Sequence, residues 1–330
     1  MSAHPASGIG LAVRHKLLPI LAFVIFALMF GLYLLLQPHG IQTSVLVTAS
    51  NKGALLALVA MAQTLPVLTG GIDLSVGAIV VLANCLASNL VNGTPAQIGL
   101  GVLAVLGTGV LAGAVNAMAV VVGRLQPIVA TLATSTMFYG VSLLLRPSPG
   151  GEVDDDFASA LTGDVWGVPV SLLLLIAVLG LLWWPFSRSV TGRGLFAVGS
   201  SDASAFMSGV PVGRARASAY LGAGLLAGMA GLLLTLIAES AQASAVQAGD
   251  FTLNSIAAVV IGGTSLFGGS GGLVGSVFGA FILRTIGDLL FVSAASPLWQ
   301  PLFQGLILLG AVSLGALPLL RVRNRLELFR

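Results

Sequence analysis

The chain has 330 residues, 57% of them hydrophobic and only 8% charged, with a mean hydropathy of +1.04. An average soluble domain carries about 25% charged residues, so this chain lacks the polar groups to coat a soluble enzyme and reads as a polytopic membrane protein. The single cysteine, Cys85, excludes an internal disulfide, and His4, His15 and His39 all lie outside apolar runs, which excludes a haem bundle or a histidine-based intramembrane hydrolase.

A helix needs about 20 apolar residues to cross the hydrocarbon core. Ten candidates follow in chain order: 17–36, 52–70, 74–92, 97–122, 126–145, 168–186, 217–238, 253–267, 272–292 and 298–319. The first follows Arg14 and Lys16 but outruns a usual signal-peptide core, so it reads as an uncleaved helix. The eighth is short and glycine-flanked, a tilted span or a broken helix. With the N-terminus placed in the cytoplasm, 11 of the 14 Lys and Arg residues fall inside, Lys52 and Arg146 outside, and Arg284 within a span. That asymmetry predicts ten spans with both termini cytoplasmic, and it reports orientation, not nucleic-acid binding. The chain is then one transmembrane domain over 1–330, with cytoplasmic segments at 1–16, 187–218 and 320–330.

Two glycine-rich interruptions stand out, TGGIDLSVG at 69–77 and IGGTSLFGGSGG at 261–272. Paired breaks in the two halves of a transporter point to its pathway; the plainer reading is two tight turns between helices. The long inner stretch 187–218 carries a predicted short helix from Ser201 to Ser208. Asp202 sits in its first turn, and Gly209 and Pro211 stop it. A connection of that length with its own helix reads as a docking surface. Neither lysine, Lys16 nor Lys52, follows a glycine, so the chain has no phosphate-binding G-x-x-x-x-G-K-[ST] loop. Any ATP and its magnesium belong to another subunit, and the chain itself needs no cofactor and no metal.

Four motifs in order resemble the permease subunits of bacterial ABC sugar importers, the ribose/xylose/galactofuranose-type branch. These are GGIDLSVG at 70–77, LQPIVATLATSTMFYG at 125–140, GRGLFAVGSSDASAFMSGVPV at 192–212 and SIAAVVIGGTSLFGGSGGLVG at 255–275. The resemblance implies an all-α, ten-helix permease with broken helices, of the kind first associated with cobalamin importers, in the bacterial inner membrane. It implies a second permease subunit, identical or homologous, two cytoplasmic ATPases and a periplasmic sugar-binding protein. The ATPase contact then falls on Arg193, Gly199, Ser201, Asp202, Ala205, Gly209 and Pro211. Ser201 and Ser204 stand where the family usually has Asn and Ala, and Asn254 stands near its usual acidic residue, which leaves an unlike pair of permeases open.

Pathway and motif candidates are Gly70, Gly71, Asp73, Ser75, Gln63, Asn116, Thr131, Thr134, Gly262 and Gly263. Asp73 reads as an N-cap of the third helix, with a pathway or ion site as the rival. The polar side chains within spans, Asn84 and Thr136 among them, either bond between helices or line a weakly polar sugar path. No cluster reads as a tight sugar site. Arg284 and Asp288, four apart on one face, read as an ion pair, against a proton or ion relay. Asp154-Asp155-Asp156 reads as a solvated outer loop, with docking of a binding protein as the rival. Two functions remain. The first is the membrane subunit of an ATP-driven sugar importer, not itself an enzyme. The alternative is a proton- or sodium-coupled secondary transporter of a small polar solute.

Overall fold

The computed structural model describes residues 8–38, 40 and 42–294, and beyond them 296, 299, 301–303, 305, 306, 309 and 310. The tenth expected span, 298–319, and the terminal segment 320–330 lie largely or wholly outside the described residues. Helix α1 runs Gly8–Leu35, α2 Thr43–Leu68, α3 Val76–Leu90, α4 Pro95–Ala117 and α5 Pro127–Leu145. After α6 (Asp155–Thr162) and a two-stranded antiparallel ribbon, β1 (Asp164–Val165) and β2 (Val168–Pro169), come α7 (Val170–Ala177) and α8 (Trp184–Arg188). Then follow α9 (Val190–Ser200), α10 (Asp202–Met207), α11 (Val212–Ala238), α12 (Ala245–Ile261) and α13 (Leu273–Val292).

Seven helical stretches among the described residues are long and apolar enough to span a membrane: α1, α2, α4, α5, α7 to α8, α11 and α13. Helices α3 and α12, at 15 and 17 residues, are apolar but shorter. At 1.5 Å per residue, 15 residues cover only about 22 Å of the roughly 30 Å core. The two glycine-rich interruptions lie just before α3 and just after α12.

Helices α2, α3 and α11 form the centre. Met61, Leu65, Ile79, Val80, Ala223, Ala227 and Ala230 are shielded there. Apolar residues all round a helix suit such a position. Helix α1 leans on α13, α4 on α11 and α5 on α3, and each keeps a face of exposed Leu, Ile, Val or Met outward. Glycines make the closest crossings: a Cβ on Gly109 would stand 2.4 Å from the Gly224 carbonyl oxygen, and one on Gly275 would stand 2.1 Å from that of Gly262. Membrane helices approach this closely because, without a hydrophobic drive between them, van der Waals contact must supply the attraction.

Three expectations are corrected here. The eighth span, expected at 253–267, is α12 at Ala245–Ile261: Ser244 caps it, accepting the Gln247 N–H at 3.2 Å, and Gly262 and Gly263 end it. Lys52 was expected at an outer helix end, but α2 begins nine residues earlier, at Thr43, so Lys52 sits within the helix. The acidic run is not a loop: Asp154 caps α6, accepting the Phe157 N–H at 2.8 Å, and Asp155 and Asp156 occupy its first turn, where negative charge meets the helix dipole favourably.

Candidate functional site

The site is the lower end of the bundle, where α2 stops and α3 begins. Between them the chain reads Thr69-Gly-Gly-Ile-Asp-Leu-Ser75. Gly70 lies at φ +78°, which allows the sharp departure from α2. Asp73 is fully buried. Its Oδ1 accepts the Ser75 N–H at 2.8 Å and the Ser75 hydroxyl at 2.6 Å, and Asn116 on α4 donates its amide to Oδ2 at 3.4 Å. Asp73 is therefore not the cap of α3; Ser75 holds that position. The carboxylate closes an Asx turn one step earlier, because the i+2 N–H is the nearest donor to a short side chain on a turning backbone.

The remaining polar candidates gather around this turn. Asn116 also donates to Ser75 Oγ at 2.7 Å and accepts from the Thr134 hydroxyl at 2.5 Å. Thr131 Oγ1 accepts the Leu74 N–H at 2.9 Å. With its amide oxygen and nitrogen exchanged, Gln63 binds the Asp73 backbone both ways, donating to its carbonyl at 2.8 Å and accepting its N–H at 3.2 Å. All six side chains are buried and satisfy one another, as polar groups cut off from water must. In this conformation they brace the turn and do not face an open channel.

Gly262 and Gly263, by contrast, lie apart from this network. Gly262 packs on α13 through Gly275, and Gly263 (φ +82°) packs against Leu18 of α1. The remainder of the second glycine-rich segment folds back to the first: Gly269 donates its N–H to the Leu68 carbonyl at 3.1 Å. Helix α9 inserts at that junction. A Cβ on Gly199 would lie 1.9 Å from the Leu68 carbonyl oxygen and 2.4 Å from the Gly269 nitrogen. Three motifs far apart in sequence thus meet backbone to backbone. That meeting was missed in the sequence, where Gly192 and Gly199 read as loop residues; a Cβ on Gly192 would stand 2.0 Å from the Phe186 carbonyl oxygen.

Beyond Gly199 the expected short helix is present as α10. Ser201 caps it, accepting the Ser204 N–H at 3.3 Å, and Gly209 leaves it at φ +77°. Asp202 pairs with Arg216 of α11. Ala205 faces inward, whereas Phe206 and Met207 are strongly exposed. Arg193 lies in α9, and Pro211 lines a cavity of about 840 Å³ between α10 and the first turn of the bundle, with Gly70, Gly71, Arg124, Arg214 and Tyr220. At the other end of the molecule, Arg284 and Asp288 form the expected i,i+4 ion pair at 3.2 Å. Asn84 donates to Thr235 at 2.9 Å, and the Thr136 hydroxyl to the Ala133 carbonyl at 2.7 Å.

A bundle with seven span-length apolar helices among the described residues is that of a polytopic membrane protein. Residues 45–312 match the family model described as "Branched-chain amino acid transport system / permease component", and the chain belongs to that family: it is a transport component, not an enzyme. It is 33% identical to the ribose import permease protein RbsC of Bacillus subtilis, across 92% of this chain and 93% of the relative. It is 31% identical to RbsC of Haemophilus influenzae, across 88% and 91%, and 31% identical to the fructose import permease protein FrcC of Rhizobium meliloti, across 90% and 84%. The resemblance to sugar-import permeases carried by the four motifs is met by these relatives. No solved structure matches the chain.

Proposed function

We propose that this chain is the membrane-spanning subunit of an ATP-driven sugar importer in the bacterial inner membrane. It forms the solute's path as a ten-span, cobalamin-importer-like permease with both termini cytoplasmic, beside a second, identical or homologous permease. Cytoplasmic ATPases grip 187–218, and a periplasmic sugar-binding protein delivers the solute above. The observation that carries this reading is the seating of α9, which leads into α10, against the end of α2 and the second glycine-rich turn through Gly199, joined to relatives named for ribose and fructose import. Force applied at α10 then reaches the turns that interrupt the bundle. Arg193, Ser201, Asp202, Ala205, Gly209 and Pro211 belong to the gripped surface.

Energy source is the test. Uptake of the transported sugar should collapse when cells are depleted of ATP at preserved membrane potential, and persist under a protonophore with ATP maintained. The reverse pattern overturns the proposal in favour of an ion-coupled secondary transporter. The purified chain alone should hydrolyse no ATP, because it carries no phosphate loop.

The gripped surface has its own test. Asp202→Lys replaces the ion pair with Arg216 by like charges, and Gly209→Val forces a β-branched residue to φ +77°, a strain of roughly 1–3 kcal/mol. Each should cut uptake at least fivefold with membrane abundance unchanged. Normal uptake and normal ATPase co-purification in both variants would remove the assignment.

A further inference from the structure

The end of the bundle away from the first glycine-rich turn carries a charged cleft. Two adjoining cavities, of about 400 and 260 Å³, share Lys52 and Arg284 as common walls. Their joint size suits a small-molecule site, which typically occupies roughly 300–1,000 Å³. Asp288 lines the first, and Gln247, Asp250 and Asn254 of α12 line the second.

These groups share one level. Lys52 lies about nine residues, roughly 13 Å, below the start of α2 at 1.5 Å per residue. Arg284 lies about eight residues before the end of α13, and Asp250 and Asn254 lie five and nine residues into α12. Lys52 and Asp250 are exposed, and Asn254 and Arg284 are partly buried; ionisable side chains within a membrane are costly and mark solute pathways or water-filled cavities. Only one pair is neutralised by contact, Arg284 with Asp288; Lys52 and Asp250 form no ion pair among the described residues. The Arg284 Nε is buried and lacks a partner among those residues, a donor aimed at something not supplied by the fold described.

Two cations and two carboxylates leave the cleft with no net charge. It therefore offers no net attraction to an ionic solute, yet presents donors and acceptors at close spacing. Tyr33 in one cavity and Phe251 in the other add aromatic faces. Hydroxyl-rich, uncharged rings match that combination of amides, charges and aromatic surface.

Resting on the importer reading above, we propose that the cleft between α2, α12 and α13 is the outer solute site, taking a neutral polyhydroxylated sugar through Lys52, Asp250, Asn254 and Arg284. Binding there is weak, because a solute on its way through must leave. The site opens on the side where the binding protein docks and holds solute before the glycine-rich turns below give way.

Thiol protection tests it in whole cells. In a Cys85→Ser background, Thr48→Cys and Gln247→Cys, which line the cleft without being among the proposed sugar ligands, are each made, with Leu253→Cys, an exposed α12 position that does not line the cleft, as the comparison. Cells carrying the full importer are depleted of ATP, treated with a membrane-impermeant cationic methanethiosulfonate, and the chain is recovered to read labelling. Both cleft variants should react, and at least one of D-ribose, D-fructose and D-xylose should slow the reaction threefold or more. Ribose 5-phosphate and glutamate should leave it unchanged, and Leu253→Cys should stay unlabelled. Failure of both cleft variants to react at normal membrane abundance overturns the site, as does reaction that no neutral sugar slows or that the charged solutes slow equally. Uptake driven by an ion gradient with protection intact would sink the importer reading alone; lost protection with ATP-driven uptake intact would sink the site alone.

Discussion

Gly199→Leu should abolish uptake, and Gly199→Ala should reduce it at least tenfold. No side-chain movement can relieve either change. The added Cβ falls 1.9 Å from the Leu68 carbonyl oxygen and 2.4 Å from the Gly269 nitrogen, and both are backbone atoms. Helix α9 must back away, which breaks the Gly269 N–H to Leu68 carbonyl bond or separates α9 from it. Overpacking of this kind costs roughly 1–3 kcal/mol, too little to unfold a bundle of this size but enough to unseat the loop. Membrane abundance should therefore stay near normal while uptake falls. Gly180→Ala, where a Cβ meets nothing within 4 Å, should be silent in the same assay. Wild-type uptake from Gly199→Ala would show that the junction has no part in transport.

Asp73→Ala should lose at least nine-tenths of uptake, whereas Asp73→Asn should keep more than half. The alanine leaves three donors without an acceptor: the Ser75 N–H, the Ser75 hydroxyl and one Asn116 N–H. An unsatisfied buried donor costs about 1–3 kcal/mol. Asparagine keeps an oxygen for the two Ser75 donors, but it turns the 3.4 Å contact with Asn116 into one between two NH2 groups, a smaller loss than the three unmet donors of the alanine variant. Because the Ser75 bonds survive in asparagine and fail in alanine, uptake at matched abundance separates the two roles. Loss of uptake in the asparagine variant as deep as in the alanine variant would mean the charge itself is required, as in an ion or proton site.

The legible parts of the chain were those governed by local signals. Ser201, Asp202, Gly209 and Pro211 each act within a few residues, and they fixed α10 nearly to its ends. Asp73 was read as a side chain that satisfies backbone N–H groups, which it is, but hydropathy could not say which N–H stood nearest. Helix α9 was hidden because glycine is read as a loop former, while Gly192 and Gly199 are there to admit backbone from Phe186 and Leu68. Helix α12 was started late for the opposite reason: Gln247 and Asp250 look like surface residues on any transfer scale, and only folding shows that they line a cleft within the bundle. The same effect displaced Lys52. Composition prices each side chain against lipid, so a polar group that faces a cavity is misplaced toward water.

The junction of Gly199, Leu68 and Gly269 has a mechanical consequence. A side chain under load can yield by changing rotamer, so a contact made through side chains is a soft spring. Carbonyls and amides held in helices and tight turns have no such freedom. A shift of α9 by a fraction of an ångström therefore arrives at the end of α2 almost undiminished. Because Gly269 is tied to that same carbonyl, a push from α9 bears on both glycine-rich turns at once.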